Sequence, residues 1–551
     1  MPVLQHERIA IIGGGCTGTT CFWALQNTAH DVHLFEASST LGGRIKEYWL
    51  EDSGNKRVIN TETPTFNAET SRQCSYNHIP AISKLTTHLA NLMSLLRHLG
   101  ISTSAIPFNL STSDGITTFE WGSSIAASIL RQPWVLFNIE TYRTLVDVIW
   151  FKYFGIDALS ERHSSGKPEN LSVHLNADEY LTSERYSNSF FNRYLSPLLS
   201  VLWRTNALKS LPKFPMKALV RSLNDHKFFC TWQTIPQWRR IDSGVRQLTQ
   251  TMAKVLPAQN LHLRTRIQEI QRLGKDRYKL VTADGDALYF NHIVFAIDGR
   301  ETLKILRLNV DSDEKEILQD LRAGPNILVL HSDYSAPRHA EYPRMHSLNS
   351  FIPFHQLAPD LDHSWPACNY IMSPAQSPNQ SDRQRTSDSV SPRSSLTYNV
   401  NALQDVPVCL FGRIFVTVNP FTPPHPRLVH AVWEFTDLEP TPVTLRAQSR
   451  LSSIQNKRGL SYGCRWSGRG FLEDSVSAGL EIATEHFGAQ LPFKIIHHED
   501  LLEDSTEVLH LKLSDHFIRT VLSFVRAYVL ICEICWLLLR KIWTRPVSYT
   551  T

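Results

Sequence analysis

The chain of 551 residues has little excess charge of either sign: 56 Lys and Arg stand against 52 Asp and Glu, a formal net charge of +4. No basic stripe with interleaved aromatics appears, so no nucleic-acid partner is expected. The opening MPVLQHER does not read as a secretory leader, so none is expected, and the nine cysteines are scattered. Reduced thiols in a protein on the cytoplasmic side of the membrane are the expectation. Only Cys532 and Cys535 form a C-x-x-C pair, with no turn, second pair or histidine beside them. That supports neither a zinc centre nor a thioredoxin-type motif, so no metal is expected and these thiols should be buried or facing lipid. Uncharged runs long enough to cross a bilayer are absent too: the apolar stretch from Phe517 to Trp543 is broken by Arg526 and Glu533. What is present is 42% apolar residues, enough for two substantial cores.

The densest information lies between Arg8 and Arg44. The apolar run Ile9–Ile12 predicts a buried strand, and Gly13, Gly15 and Gly18 follow it as G-x-G-x-x-G. Gly13 permits the tight turn, Gly15 lets the backbone approach a pyrophosphate, and Gly18 lets the following helix pack closely while its first N–H groups, near Thr17, face the phosphates. A second strand, Val32–Phe35, ends at Glu36-Ala37. A carboxylate there can accept both hydroxyls of an adenosine ribose and would repel a 2′-phosphate, which leaves FAD or NAD and excludes NADP. Directly afterwards comes a second glycine turn, Leu41-Gly42-Gly43-Arg44. An NAD site has no use for it.

That second turn resembles the L-G-G-R of the flavin-containing amine oxidase superfamily, where backbone and arginine lie along extended FAD. A closer resemblance is to a group of predicted FAD/NAD-binding, amine-oxidase-like proteins. It rests on Asn60-Thr61, Phe66-Asn67, Glu120-Trp121-Gly122, Tyr180-Leu181 through Tyr186 to Tyr194-Leu195, Phe214-Pro215, Asp225-His226, Pro236-Gln237-Trp238-Arg239 before Gly244, Trp365 with Asn369-Tyr370, and Trp466-Ser467-Gly468-Arg469-Gly470-Phe471-Leu472-Glu473-Asp474. The resemblance implies FAD as cofactor, with Ile267 and Ala296 laying backbone beside adenine and phosphates and Glu473-Asp474 closing the last turn on it. Asn60, Ser243, Leu472 and Ser475 depart from the group's aspartate, glycine, histidine and glycine, and these departures bear on substrate and chemistry.

The implied fold is α/β: a Rossmann-type FAD domain in the two-domain architecture of amine oxidases and GDP-dissociation inhibitors, an interleaved substrate domain and a C-terminal amphipathic helix. FAD-binding parts are expected at 1–64, 236–300 and 451–485. A mostly helical cap is expected at 65–235, with Leu85–Leu99 at helical spacing, and a second substrate segment at 301–450. Within it, 373–395 has no apolar periodicity and reads as a disordered insertion. Leu261–Ile270, Tyr278–Thr282 and His292–Ile297 read as strands, with Asp284-Gly285 as a hairpin turn. Residues 486–551 form a tail containing a helix over 512–543.

Flavin chemistry needs few obligatory side chains, and no catalytic residue is assigned. His226 is a base by residue type, though a core histidine is the commoner case; Trp466 faces either the flavin or the core. The favoured function is an oxidase, dehydrogenase or desaturase acting on a hydrophobic small molecule, such as a lipid, terpenoid or polyketide intermediate. An amine oxidase, a redox-neutral isomerase or cyclase, and a non-catalytic protein that binds lipidated partners, as Rab-escort proteins do, are the alternatives.

In the tail, Lys512, Arg519, Arg526, Glu533 and Arg540 recur every seven residues and form one drifting helical stripe amid apolar neighbours. This predicts a helix lying on a membrane surface, its apolar residues in the acyl boundary and its charged line near headgroups. The alternative is a helix docked on the cap with that line facing water.

Overall fold

The computed structural model describes residues 6–52, 54–61, 66–68, 90–106, 109–113, 118–121, 139–159, 176–203, 211–225, 237–255, 257–274, 277–321, 323–334, 366–372, 394–439, 441–468, 470–497 and 513–543. His226, Trp365 and residues 373–393 of the expected insertion lie outside them. Ser394 and Ser395, counted with that insertion, instead begin the strand Ser394–Asn399.

A five-stranded parallel sheet carries the nucleotide half. Its order is Leu261–His262, β2 (Asp31–Phe35), β1 (Arg8–Ile12), His292–Phe295 and Leu460–Tyr462. Ile9 to Ile12 are buried on both faces, as a central parallel strand requires. Helix α1 (Cys16–Ala24) buries Thr17 through Ala24, because it is enclosed between this sheet and the helices Gly244–Ala253 and Leu472–Glu481. An antiparallel meander, Ile267–Arg272, Tyr278–Thr282 and Ala287–Phe290, adjoins the sheet, with the turn at Gly285 where the Asp-Gly pair predicts it.

The second half is built on a seven-stranded sheet in the order Val429–Leu438, Ala323–His331, Phe415–Val418, Ser394–Asn399, Cys368–Met372, Leu110–Ser113 and Thr118–Trp121. Two of these strands come from the segment expected to be mostly helical. That segment also supplies α2 (Ala90–His98), whose Leu92, Leu95 and Leu96 pack into the nucleotide-side core and not into the cap. Cap helices such as Ile139–Phe154 and Ser196–Trp203 share a core with the sheet face that carries Leu328, Leu330, Tyr370, Leu396, Val416 and Phe435.

The C-terminal helix runs from Leu513 to Trp543. No helix among the described residues is long and apolar enough to cross a membrane. Its orientation departs from both expectations drawn from the sequence, because Arg519, Arg526 and Glu533 of the charged line face the cap. Arg519 donates to the Tyr153 carbonyl and to Asp157 (2.7 Å) and lies 4.5 Å from the Phe154 ring. Arg526, 5% exposed, sits between the rings of Trp150 (4.3 Å) and Tyr186 (4.9 Å) and donates to the Glu184 carbonyl. Glu533 pairs with Arg143 at 3.2 Å. Guanidinium groups stack well on rings and are weakly hydrated, so they can fill a seam that ordinarily takes leucines. The apolar residues are left outside, with Phe517, Phe524 and Tyr528 about 70% exposed. Cys532 and Cys535 are exposed as well, not buried.

Candidate functional site: two glycine turns at one sheet edge

At the carboxyl ends of β1 and β2 the chain brings together Gly13, Gly15, Thr17, Gly18, Glu36, Ala37, Gly42, Gly43 and Ala296. Gly13 adopts φ +112°, and a Cβ there would lie 2.7 Å from the Ala296 carbonyl oxygen. A Cβ on Gly18 would lie 1.9 Å from the Gly13 oxygen, so no other residue fits the helix-to-turn contact. The second turn is tied to the first: Gly42 N–H donates to Gly14 O at 2.9 Å, and a Cβ on Gly43 would lie 2.9 Å from Gly15 Cα. Beside Gly15 a Cβ would meet only Gly43 Cα, at 3.9 Å. That is an unstrained contact at the start of a helix.

Helix α1 leaves its N-terminus to a ligand. Gly15 is its N-cap and supplies no side-chain hydrogen bond, and no acid stands in the first turn. The helices beginning at Gly299, Ser312 and Pro442 are capped by Asp298, Asp311 and Thr441. Free N–H groups and the helix dipole together suit a pyrophosphate. Thr17 itself is buried where α1 crosses the last FAD-side helix: a Cβ on Gly479 would come within 2.6 Å of its carbonyl.

Glu36 is buried, and its carboxylate already accepts from Gly14 N–H (2.7 Å) and Ser38 N–H (2.8 Å). It thus locks the first turn to the end of β2, and its remaining lone pairs are what a ribose can use. Ala37 is exposed beside it. Arg264 and Thr265 donate to the carbonyls of Ser38 and Glu36, which brings the start of the Ile267 strand to the same edge.

Three residues expected to line the cofactor turn elsewhere. The Arg44 guanidinium binds Asp437 and the Thr436 carbonyl and lies 5.1 Å from the Phe435 ring. Glu473 accepts from the N–H groups of Asn91 (3.0 Å) and Leu92 (2.7 Å), capping α2, and Asp474 accepts from Phe471 N–H at 2.7 Å. These carboxylates shape the closing turn, leaving backbone as its contribution to any ligand. Trp466 packs into the nucleotide-domain core beside Tyr462 and Leu451. Trp121 donates to the Arg193 carbonyl (2.8 Å) and meets Tyr194 edge-on.

The sequence reading missed Asp437. It is 1% exposed, bound by Arg44, Arg465 (2.9 Å) and Asn326 (2.6 Å). Its signal was available: in VHAVWEFTDL it shares the inward parity of Trp433 and Phe435, where an acid needs a partner. Near the second turn, Arg246 pairs with Glu47, and Asn60 Oδ1 is buried with no hydrogen-bond partner among the described residues, packed against Gly244. Burial pushes the thiols of Cys16 and Cys464 up to about 12; at Cys16 a Thr20 hydrogen bond opposes this and the Glu473 charge adds to it. Both thiols stay protonated at neutral pH and are poor nucleophiles.

The unstrained contact at Gly15, the uncapped helix, the ribose-side carboxylate and the unpaired Asn60 oxygen fit an extended dinucleotide, and the two linked glycine turns, tied by Arg44 to Asp437 of the second sheet, define a flavoprotein fold. Family profiles agree: residues 11–75 match an NAD(P)-binding Rossmann-like domain and residues 83–329 match flavin containing amine oxidoreductase. The chain is thus similar to flavin containing amine oxidoreductases over a little under half of its length, and its cofactor is FAD.

Among solved structures it is similar to cyclohexylamine oxidase from Brevibacterium oxydans IH-35A, with TM-score 0.52, 11% identity, and 88% of this chain and 99% of that one covered. It is also similar to putrescine oxidase bound to putrescine, with TM-score 0.51, 11% identity and coverage of 87% and 99%. This likeness is one of fold. A stretch of 48 residues is 40% identical to an L-amino acid oxidase of Bothrops pictus, 9% of this chain and 10% of that enzyme. The chain thus aligns with about a tenth of the length of the curated relatives it matches.

Proposed function

We propose that the protein is an FAD-dependent oxidase, dehydrogenase or desaturase acting on a hydrophobic small molecule, with Gly13, Gly15, Gly18, Glu36, Gly42, Gly43, Ile267 and Ala296 holding the cofactor. What supports the substrate class is the apolar core shared by the cap helices and the sheet face from Tyr370 through Leu396, Val416 and Leu328 to Phe435, whose Phe435 end lies 5.1 Å from Arg44 at the second glycine turn. The charged groups at that end, Arg44, Arg465 and Asp437, are paired with one another.

Bound FAD supplies the hydride-accepting chemistry. The chain's own part is to bind and orient: amides of α1 on the pyrophosphate, the Glu36 carboxylate on the ribose, the Asn60 oxygen as a spare buried acceptor, and the apolar cap to exclude water. With Cys16 and Cys464 held as thiols, the flavin is non-covalent in this reading.

The test is to purify the full chain, confirm that denaturation releases its flavin, and follow anaerobic bleaching of the flavin colour with a panel of lipids, terpenoids, polyketides and simple amines. Bleaching by apolar compounds without amine turnover is the expected result. Fast bleaching by simple amines with peroxide release in air would assign an amine oxidase instead, and a folded, colourless protein that cannot be reconstituted with FAD would end the enzyme reading.

A further inference from the structure

The C-terminal helix is inverted relative to an ordinary surface helix. Its charged positions Asp515, Arg519, Arg526 and Glu533 lie on the side that meets the cap, and its outward side presents Phe517, Val521, Phe524, Tyr528, Ile531 and Trp536, each between 43% and 73% exposed. Large exposed apolar surfaces of this kind mark an interaction site. Beyond the Arg143–Glu533 pair the helix leaves the body, and Ile534, Cys535, Trp536 and Leu538 are all exposed.

The charge pattern selects the occupant. From Arg519 to Glu533 every charged group of the helix is consumed in the cap seam, leaving the outward side without an ionic group to set the register of a protein partner. After Glu533 the sequence contains Arg540, Lys541 and Arg545 and no acid. An uncharged ridge followed by basic sequence, with Tyr528 and Trp536 along it, matches the acyl boundary and anionic headgroups of a bilayer. At 31 residues the helix is about 46 Å long, yet Arg526 and Glu533 are held by the cap, so it lies along the surface and does not enter end-on.

We propose that this outward face docks on an anionic lipid surface, with the cap, and not the nucleotide domain, toward the membrane. The arrangement brings the cap to the phase from which an apolar compound would arrive. It also makes the seam part of the anchor, because the arginines that a free helix would show to water are shielded before docking.

Flotation of the full-length flavin-loaded protein tests the proposal, using phosphatidylcholine vesicles with and without a minority of phosphatidylserine. The parent should float with the anionic vesicles and less with the neutral ones. The double variant Phe524→Glu, Ile531→Glu changes only exposed positions, and it should lose at least about tenfold in partitioning while keeping the parent's flavin colour and melting temperature. An environment-sensitive dye on Cys535, with Cys535→Ser as control, should shift to the blue on adding anionic vesicles. Failure of the parent to float on either vesicle, or equal flotation of parent and double variant, would overturn the proposal. So would a stable dimer in dilute solution that the double variant splits, which would make the face a contact between two copies of this chain.

Discussion

Arg44 and Asp437 join the second glycine turn to the edge strand of the seven-stranded sheet, the guanidinium donating to both carboxylate oxygens of a fully buried acid. Arg465 and Asn326 complete the carboxylate's shell, so one side chain links three separate stretches of sequence. Asp437→Ala leaves two arginines without their counter-charge, and a loss of about 3–5 kcal/mol in chemical unfolding is expected. Asp437→Asn should cost less, because the amide retains the shape and one acceptor oxygen.

The two glycines of the first turn separate cofactor binding from folding. A methyl group at Gly18 has no room against the Gly13 carbonyl, so Gly18→Ala should lower the melting temperature of the flavin-free protein. At Gly15 a Cβ meets only Gly43 Cα, in ordinary contact at 3.9 Å, so Gly15→Val should leave the flavin-free melting temperature near the parent's and abolish flavin retention on gel filtration. Equal flavin content in parent and Gly15→Val would remove the pyrophosphate from this turn.

Glu36→Ala is expected to act twice. The ribose loses charge-assisted hydrogen bonds of about 1.5–3 kcal/mol, a drop in FAD affinity of roughly 10- to 150-fold by titration. The amides of Gly14 and Ser38 also lose their acceptor, so the flavin-free protein should be less stable by about 1–3 kcal/mol. A variant binding FAD as tightly as the parent would confine the carboxylate to bracing the turn.

Three histidines set an acid limit. Burial lowers His292 to about 3 and His486 and His331 to about 4, with neighbouring histidines lowering His292 further and the Asp333 charge opposing the fall at His331. The unfolded chain takes up these protons near pH 6.5 and the folded chain does not. Stability is therefore fully present above about pH 6.5 and drains as pH falls toward 4. Melting temperatures measured from pH 8 to pH 4.5 should decline below about 6.5, and His292→Gln, which keeps a partner for Ser461 and cannot titrate, should flatten that decline.

The nucleotide half was legible because its signals are local. A buried run, three glycines at fixed spacing, an acid at the end of the next strand and a second glycine turn all fall within Arg8–Arg44, and each constrains backbone that its neighbours complete. The seven-stranded sheet was not legible, since Leu110–Ser113 finds its parallel partner at Cys368–Met372 and neither stretch encodes the other. Helix α2 reads as cap by its place in the chain, whereas Glu473, nearly 400 residues later, caps it from the nucleotide side. For the C-terminal helix, a seven-residue period fixes which residues share a side but not which side is docked. Rings at Trp150, Phe154 and Tyr186 decided that, by offering arginine a better seat than they offer leucine.

The parallel sheet also dictates a timetable for biosynthesis. β1 and β2 leave the ribosome first, yet the neighbour on one side of β1 begins at His292, and the strand beyond that, Leu460–Tyr462, is the last to be made. At about 5–20 residues per second, the interval between β1 and the closing strand is roughly 20–90 s. β1 itself gains its second neighbour when His292–Phe295 is made, roughly 15–60 s after it, whereas that neighbour and the helix behind the sheet wait for Leu460–Tyr462 and Leu472–Glu481.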